Sequence, residues 1–247
     1  MFNFFFKNKD SAALDFSGIG VDIHSHLIPG IDDGAKTLDD SLVLIRGLQD
    51  LGFSKIITTP HIYNEYYPNT KEIIGEGLVD LKFALKQANI QMPIEASAEY
   101  FMDDHFEGLL EDKNIHPLKG KYVLVEMSFF GAPPKLEDYL FKIQLKGFTP
   151  ILAHPERYLF FQNDYEHFHE LKAKGVLFQL NATSIMGYYG KPVKTMAHKL
   201  LKDKLIDLIG TDVHHIGHIE YLKSNIKNKE FQQILSRYAF QNAEIFG

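Results

Sequence analysis

The stretch Ile19-Gly-Val-Asp-Ile-His-Ser-His26 decides the fold, because it joins a short apolar strand to two histidines at the strand's carboxyl end. Similar short apolar runs recur along the chain, and helical patterns lie between them. This alternation is typical of β/α units around a parallel sheet. The predicted strands cover residues 19–23, 55–58, 94–98, 122–126, 149–153, 176–180 and 205–209.

The helical patterns between these strands carry their apolar residues on one face. In the first of them, Leu42, Ile45 and Leu48 share a face, and Thr37 precedes the helix as its cap. Strands and helices in this number predict an α/β fold with a closed or nearly closed barrel, and an open, doubly wound sheet is the alternative. The predicted helices cover residues 38–51, 70–88, 135–146, 165–174, 193–202 and 231–238.

The start of the chain, Met1-Phe-Asn-Phe-Phe-Phe-Lys7, differs from the rest in being apolar without a strand or helix pattern. It is too short for the core of a signal peptide, and no small-residue cleavage site follows it. We expect residues 1–18 to form an apolar tail that packs on the domain or on a neighbouring chain, and residues 19–247 to form the single domain. A docking segment for a membrane surface or a partner is the alternative.

The composition excludes several classes of protein. The chain has 247 residues, 45% of them hydrophobic, and a net charge of -6, so no basic excess points to nucleic acid. It contains no cysteine, which excludes disulfides, zinc fingers and a cysteinyl-phosphate mechanism. No run approaches the roughly 20 apolar residues of a membrane span. We therefore expect a cytoplasmic protein, with an oligomer left open.

Histidines and carboxylates follow six of the seven predicted strands, at the ends that a parallel barrel gathers on one rim. Residues i and i+2 of a strand point to the same side, so each His-x-His or Asp-x-His pair can converge on one site. His167 and His169 share that spacing but lie in a helical pattern, where they diverge. The predicted metal ligands are His24, His26, His61, Glu99, Glu126, His154, Asp212 and His214.

So many nitrogen and oxygen ligands suit two or three divalent metal ions rather than one. The mixture favours manganese, iron, zinc or another first-row metal over calcium. Because the chain has no cysteine nucleophile, metal-activated water is the expected nucleophile of any hydrolysis at this site.

The motifs that carry these ligands resemble those of PHP-domain metallophosphoesterases, most closely the bacterial tyrosine phosphatases of the CpsB/YwqE type. The resemblance covers about residues 19–245, nearly the whole chain. The matching segments, in chain order, are Asp22-Ile-His-Ser-His26, Pro29-Gly-Ile-Asp-Asp-Gly34, Thr59-Pro-His61, Tyr67-Pro-Asn-Thr70, Ala98-Glu-Tyr100, Leu124-Val-Glu126, Ala153-His-Pro-Glu-Arg-Tyr158 and Gly210-Thr-Asp-Val-His214.

The resemblance implies a distorted (β/α)7 barrel of the PHP type with three metals. His24, His26, Glu99 and Asp212 would hold the first metal, and Glu99 would bridge to a second that Glu126 and His154 also hold. Asp32, His61 and His214 would hold the third. Asp33 lies in the same loop as Asp32, and either aspartate is also a common turn residue beside a glycine.

The resemblance also assigns residues to catalysis and to the substrate. Arg157, Asp212 and His214 are the predicted catalytic residues, and Arg157 matches the phosphate-binding arginine of the family. A salt bridge to Glu156 or another rim carboxylate is the alternative for Arg157. Several relatives carry another arginine after the last metal motif, whereas this chain reads His215-Ile-Gly-His-Ile-Glu220. His215, His218 or Lys223 would then take its place, and Tyr63 is a further predicted substrate contact.

The implied function is that of a metal-dependent protein-tyrosine phosphatase. Its substrate would be a phosphotyrosine protein, such as a bacterial tyrosine kinase that controls capsule or exopolysaccharide production, which would bring the enzyme near the membrane. Two alternatives stay open: a phosphatase for a small phosphomonoester such as histidinol phosphate or a nucleotide, and a metal-stabilised binding module without turnover.

Overall fold

The computed structural model describes residues 15–247 and consists of short parallel strands surrounded by helices. Residues 1–14 of the predicted tail lie outside the described residues. The strands are β1 (Val21–Asp22), β2 (Lys55–Thr58), β3 (His61–Ile62), β4 (Ile94–Ala96), β5 (Glu99–Phe101), β6 (Tyr122–Glu126), β7 (Thr149–Ala153), β8 (Leu177–Asn181) and β9 (Leu208–Gly210). The α-helices are α1 (Leu38–Asp50), α2 (Lys71–Gln87), α3 (Asp104–Glu111), α4 (Leu136–Leu145), α5 (Glu166–Ala173), α6 (Ala182–Met186), α7 (Lys191–Lys202), α8 (Ile216–Asn225), α9 (Lys229–Arg237) and α10 (Asn242–Phe246).

These strands form a closed barrel with seven positions around its wall. The strand order is β1-β2-β4 in one sheet and β3-β5-β6-β7-β8-β9 in the other, and all pairs are parallel. Because β3 continues β2 and β5 continues β4, the two sheets are parts of one wall. A parallel bridge between Ser25 and Val213 joins its first and last strands. The predicted barrel is confirmed.

The barrel wall separates two apolar clusters. Along β7, Ile151 and Ala153 point into the barrel, whereas Leu152 points out to the helices, as the two-residue period of a strand requires. The inner cluster ends at Phe246 of α10, whose ring packs edge-on against Tyr122 at a centroid distance of 5.3 Å. Since Tyr122 begins β6, α10 covers the amino ends of the strands and leaves the carboxyl ends free for a site.

Most predicted elements occur within one or two residues of their predicted bounds. The segment 205–207 differs, because it precedes β9 rather than belonging to it. There the backbone N–H of Ile206 donates to the Tyr238 hydroxyl at 3.1 Å instead of to a neighbouring strand. The sequence patterns also missed the helices α3, α6, α8 and α10. Of these, α6 and α10 have only five residues each, which is too few to show an apolar period.

Residues 15–18 pack onto the domain. Phe16 lies in a 3-10 helix (Phe16–Gly18), is fully buried and stacks on Phe53 with ring centroids 4.7 Å apart. Within residues 15–247, no helix is both long and apolar enough to cross a bilayer.

Candidate metal centre

The eight predicted ligands lie together at the carboxyl ends of the strands. His24 and His26 follow β1, Glu126 ends β6 and His154 follows β7. His61 and Glu99 begin β3 and β5, which resume after breaks in the wall at residues 59–60 and 97–98. Their donor atoms, together with those of Asp33, lie within 4.8 Å of one another in overlapping sets, and most of the side chains are buried. These sets form three neighbouring groups. The remaining two ligands, Asp212 and His214, follow β9.

The first group gathers donors from three distant parts of the chain. The Nε2 atom of His24 lies 3.1 Å from Glu99 Oε2 and 3.4 Å from Asp212 Oδ1. The Nε2 atom of His26 lies 3.4 and 3.5 Å from the same two oxygens. Two imidazole nitrogens thus face two carboxylate oxygens, which is a donor set that suits a first-row divalent ion.

A second group forms around the other side of Glu99. Its Oε1 atom lies 3.0 Å from His154 Nε2, and His154 Nε2 lies 3.9 Å from Glu126 Oε2. His61 Nδ1 also approaches this group, at 3.2 Å from Glu99 Oε2 and 3.1 Å from Glu126 Oε1. The Glu99 carboxylate therefore stands between two donor groups, in the position expected of a bridging ligand.

The third group contains Asp33 rather than the predicted Asp32. Asp33 Oδ1 lies 3.5 Å from His61 Nε2 and 3.4 Å from His214 Nε2, and the Asp33 side chain is 50% exposed to the mouth. The Asp32 carboxylate turns inward instead. It lies 2.8 Å from His26 Nδ1 and accepts the backbone N–H groups of Gly34 and His61. With its oxygens occupied, Asp32 orients His26, and this geometry corrects the sequence-based expectation.

Three buried nitrogens of the cluster have no hydrogen-bond partner among the described residues: His26 Nε2, His61 Nδ1 and His154 Nδ1. The first two lie within 3.5 Å of carboxylate oxygens. A buried polar atom without a partner is costly, and a cation between it and the carboxylates removes that cost. The donor set therefore fits divalent metals.

The electrostatics of the cluster also favour cations. Burial lowers the pKa of His24, but the carboxylates of Glu99 and Asp212 outweigh burial and raise it to about 9. Burial likewise raises the pKa of Glu99, but the imidazoles of His24 and His61 hold it well below its usual value. Protons on the imidazoles balance the buried carboxylates, and metal ions would displace those protons.

The strand without a predicted ligand, β8, supplies a supporting network that the sequence analysis missed. Gln179 Oε1 lies 2.6 Å from His24 Nδ1, and Gln179 Nε2 donates to Asn181 Oδ1 at 3.0 Å. Asn181 Nδ2 in turn donates to Asp212 Oδ2 at 2.6 Å. Alternation along β8 puts both amides on the inner side of the barrel. Their hydrogen bonds therefore orient the side chains of His24 and Asp212.

The backbone is unusual at two of the predicted ligands. His154 and Asp212 have φ angles of 36° and 52°, in the left-handed region that non-glycine residues rarely adopt. Asp212 N–H donates to the His24 carbonyl at 2.7 Å, which ties this conformation to the first strand. Such backbone geometry costs energy. It also occurs away from the cluster, at Asn89, Lys113, Lys119 and Lys204.

Six of the eight predicted ligands, together with Asp33, line a cavity of about 260 Å³, whereas His24 and His26 are fully buried and do not line it. Arg157, from a 3-10 helix (Pro155–Arg157), reaches this cavity and donates to Asp212 Oδ2 at 3.3 Å. The salt bridge to Glu156 does not form in the described structure, because Glu156 is fully buried and accepts from Ser184 Oγ at 2.6 Å. Arg157 thus pairs with a rim carboxylate at the wall of the cavity.

Of the other predicted substrate contacts, two line the cavity and two do not. His215 lines the cavity, as does His218. Tyr63 is not among the described lining residues, and its ring stacks on Phe101 at a centroid distance of 4.0 Å. Lys223 is bound to Asp50 at 2.7 Å on the surface.

Tyr189 lines the cavity beside Arg157 and was not predicted, because it lies in a loop between two helices where no strand pattern points to the site.

A parallel barrel with this buried cluster at its mouth defines a metallohydrolase of the barrel class. The chain belongs to the CpsB/CapC family of capsular polysaccharide synthesis, whose model matches residues 20–244.

Individual relatives agree with this assignment. The chain is 29% identical over 229 residues to the tyrosine-protein phosphatase YwqE of Bacillus subtilis. The aligned region covers 91% of this chain and 90% of YwqE. It is 29% identical over 203 residues to the tyrosine-protein phosphatase CpsB of Streptococcus pneumoniae, over 79% of this chain and 83% of CpsB. A solved chain from a crystallographic study of YwqE and CpsB, described as metal-dependent tyrosine phosphatases, matches with a TM-score of 0.78 and 27% identity, over 92% of this chain and 93% of that one.

Proposed function

We propose that this protein is a metal-dependent protein-tyrosine phosphatase and that the histidine–carboxylate cluster is its active site. The observation that carries the proposal is the convergence of His24, His26, Glu99 and Asp212, whose imidazole nitrogens and carboxylate oxygens lie 3.1–3.5 Å apart. The two carboxylates line an open cavity, and the two histidines are fully buried against them. The related phosphatases YwqE and CpsB support the choice of reaction.

We propose that the cluster holds two or three divalent ions, with the ligands assigned as follows. His24, His26, Glu99 and Asp212 would hold the first ion, and Glu99, Glu126 and His154 the second. Asp33, His61 and His214 would hold the third, with Asp32 positioning His26. Manganese, iron and zinc all suit these ligands, and manganese is the first metal to test.

The residues of the chain bind and orient the substrate. When bound, the divalent ions supply an activated water and neutralise charge on the phosphoryl oxygens. The guanidinium of Arg157 would exchange its contact with Asp212 for the phosphoryl oxygens and stabilise their charge as the ester bond breaks. The leaving phenolate has a pKa of about 10, so it needs less help from an acid than an alkoxide does. His215 and His218, at the wall of the cavity, are placed to orient the departing group.

The physiological substrate that we propose is a phosphotyrosine protein of capsule or exopolysaccharide synthesis, such as a bacterial tyrosine kinase. The capsule-related family and the activities of YwqE and CpsB support this choice. We further propose that the enzyme acts in the cytoplasm and approaches the membrane only through its partner.

The proposal is tested by comparing substrates on metal-loaded protein. We expect kcat/KM for a phosphotyrosine peptide to exceed that for phosphoserine or a small alkyl phosphate by at least about a hundredfold, since phenolate is the better leaving group. A preference for the alkyl phosphate would favour the small-phosphomonoester alternative. Tight peptide binding without turnover would favour the binding module.

Two variants connect the activity to the cluster. His24→Ala and Asp212→Ala should each lower kcat by about three orders of magnitude or more, because each removes a proposed ligand of the first metal. Elemental analysis should show less bound metal in both. His105→Ala is the matched control, because His105 is exposed on α3, and it should leave both measurements unchanged.

A further inference from the structure

We propose that Phe129 and Tyr189 form an aromatic clamp that holds the guanidinium of Arg157 in the plane needed to bind the phosphoryl group. Arg157 Cζ lies 4.2 Å from the centre of the Phe129 ring and 4.4 Å from the centre of the Tyr189 ring. All three side chains line the same cavity. This inference rests on the proposed function, to which it adds two positioning residues.

The two rings reach Arg157 from separate parts of the barrel. Phe129 lies in the loop after β6, and Tyr189 in the loop between α6 and α7. A guanidinium has two flat faces, so it can accept one ring on each of them, and both ring centres lie within stacking distance of Arg157 Cζ. A ring face attracts a cation electrostatically, and Arg is the cation that stacks best because it is planar and weakly hydrated.

The clamp explains how Arg157 stays in place with little hydrogen bonding. Its only described side-chain hydrogen bond runs from Nη1 to Asp212 Oδ2 and is long, at 3.3 Å. That oxygen already accepts a shorter bond of 2.6 Å from Asn181. Ring stacking consumes none of the five N–H donors of the guanidinium, so the donors at its edge stay free for phosphoryl oxygens.

Each ring of the clamp also contacts other aromatic rings, although Phe129 itself is 44% exposed. The Phe129 ring packs near His154 and Tyr158, with centroids 5.6 and 5.8 Å away. Tyr158 is fully buried, and its hydroxyl accepts the backbone N–H of Met127 at 3.1 Å. The Tyr189 ring packs edge-on against Tyr188 at 5.1 Å. Burial also raises the pKa of the Tyr189 hydroxyl, so the side chain stays neutral. Its ring can then stack on the guanidinium, and its hydroxyl does not act as a base.

The experiment removes each ring and measures phosphate binding as well as turnover. Tyr189→Leu and Phe129→Leu should each weaken the binding of inorganic phosphate to the manganese-loaded protein, measured by calorimetry, by about three- to thirtyfold. They should lower kcat/KM for a phosphotyrosine peptide by a similar factor. Tyr189→Phe keeps the ring and should retain most of the phosphate affinity. Bound metal should be unchanged in all three variants.

Phe130→Leu is the matched control for Phe129→Leu. Phe130 is the next residue along the chain, is 98% exposed and does not line the cavity. Its variant should bind phosphate as the parent protein does. A loss as large in Phe130→Leu as in Phe129→Leu would overturn the clamp, because the effect would then come from the loop as a whole.

A double-mutant cycle separates the clamp from a merely structural role. If the rings act through Arg157, Tyr189→Leu should change phosphate affinity by less than about twofold in an Arg157→Ala background. An undiminished loss in that background would overturn the clamp. Phosphate binding does not require turnover, so the cycle gives a result even if the proposed phosphatase activity is absent, and the two failures are distinguishable.

Discussion

At the scale of single residues, the nitrogens that His24 and His26 present to the cluster are set by the partners of their other ring nitrogens. Gln179 contacts His24 Nδ1 and Asp32 contacts His26 Nδ1, so both rings turn Nε2 toward Glu99 and Asp212. A partner of this kind also fixes the tautomer of the ring and its basicity. The buried amide and carboxylate around the cluster therefore matter to metal binding although they need not touch the metal.

Replacing Gln179 with leucine should weaken manganese binding by about ten- to a hundredfold, because His24 loses the acceptor that orients it. The measurement is a chelator competition titration on the purified protein. Gln162→Leu is the control, since Gln162 is exposed, and it should bind manganese normally. Unchanged affinity in Gln179→Leu would show that His24 is oriented by its ring contacts alone.

Glu156 is a residue whose burial makes stability depend on pH. Burial raises its pKa to about 7, and the hydrogen bond from Ser184 only partly opposes that effect. Between its ordinary pKa and about 7, the folded protein holds a proton that the unfolded chain has lost. Stability therefore falls as the pH rises through this window, which is the sign expected for an acid with a raised pKa.

Glu156→Gln should remove this dependence, because glutamine is neutral and keeps the acceptor for Ser184 and Asn181. The unfolding free energy of the variant relative to the parent should rise by about 3 kcal/mol between pH 4.5 and pH 7 and then level off. This difference in unfolding free energy is measured by urea denaturation of the chelator-treated parent and variant at several pH values. A difference that is flat with pH would mean that Glu156 titrates normally.

At the scale of elements, the loop between β1 and α1 folds tightly back onto the first metal motif. The Ala35 N–H donates to the His26 carbonyl at 3.1 Å. A Cβ atom on Gly34 would lie only 2.2 Å from that same carbonyl oxygen. Glycine is therefore required by close backbone approach, and this approach places Asp32 and Asp33 on opposite sides of the loop.

Gly34→Ala should displace the loop and remove Asp33 from His61 and His214. We expect a loss of about 1–3 kcal/mol in unfolding free energy, since backbone has to move. Elemental analysis should also show less metal per chain. Gly108→Ala is the control, because a Cβ there meets nothing within 4 Å. Normal metal content in Gly34→Ala would mean that the loop adapts without moving Asp33.

At the scale of the whole molecule, the barrel is closed partly by side chains. Asn242 of α10 lies between the first and last strands, accepting from Ile209 N–H at 3.0 Å and donating to the carbonyls of Val21 and Ile209. Nearer the mouth, Asp22 accepts both the N–H and the hydroxyl of Thr211. These bonds join strands that pair directly only at the bridge between Ser25 and Val213.

Asn242→Leu should lower the unfolding free energy by about 3 kcal/mol, because it leaves three buried backbone groups without their partner. Chemical denaturation of the full chain measures the change. Asn163→Leu, at an exposed position, should have almost no effect. A loss below about 1 kcal/mol in Asn242→Leu would show that water replaces the side chain at the seam.

Parts of this architecture were predictable because they depend on local pattern. Alternating apolar runs and helical faces set the strands to within a few residues, and β2, β6 and β7 match their predicted bounds. The strand-end positions of the histidines and carboxylates then predicted one cluster, since parallel strands present all their carboxyl ends at one rim. The five-residue helices α6 and α10 were missed because so few residues do not establish a period.

The sequence by itself determined the barrel and the residue types that meet at its mouth, because both follow from periodicities within single segments. Only the tertiary structure decided that Asp33 rather than Asp32 faces His61 and His214, that Gln179 and Asn181 support the ligands, and that two rings flank Arg157. Those contacts join residues from different loops and strands. Their geometry depends on how the loops pack over the strand ends, which no local pattern encodes.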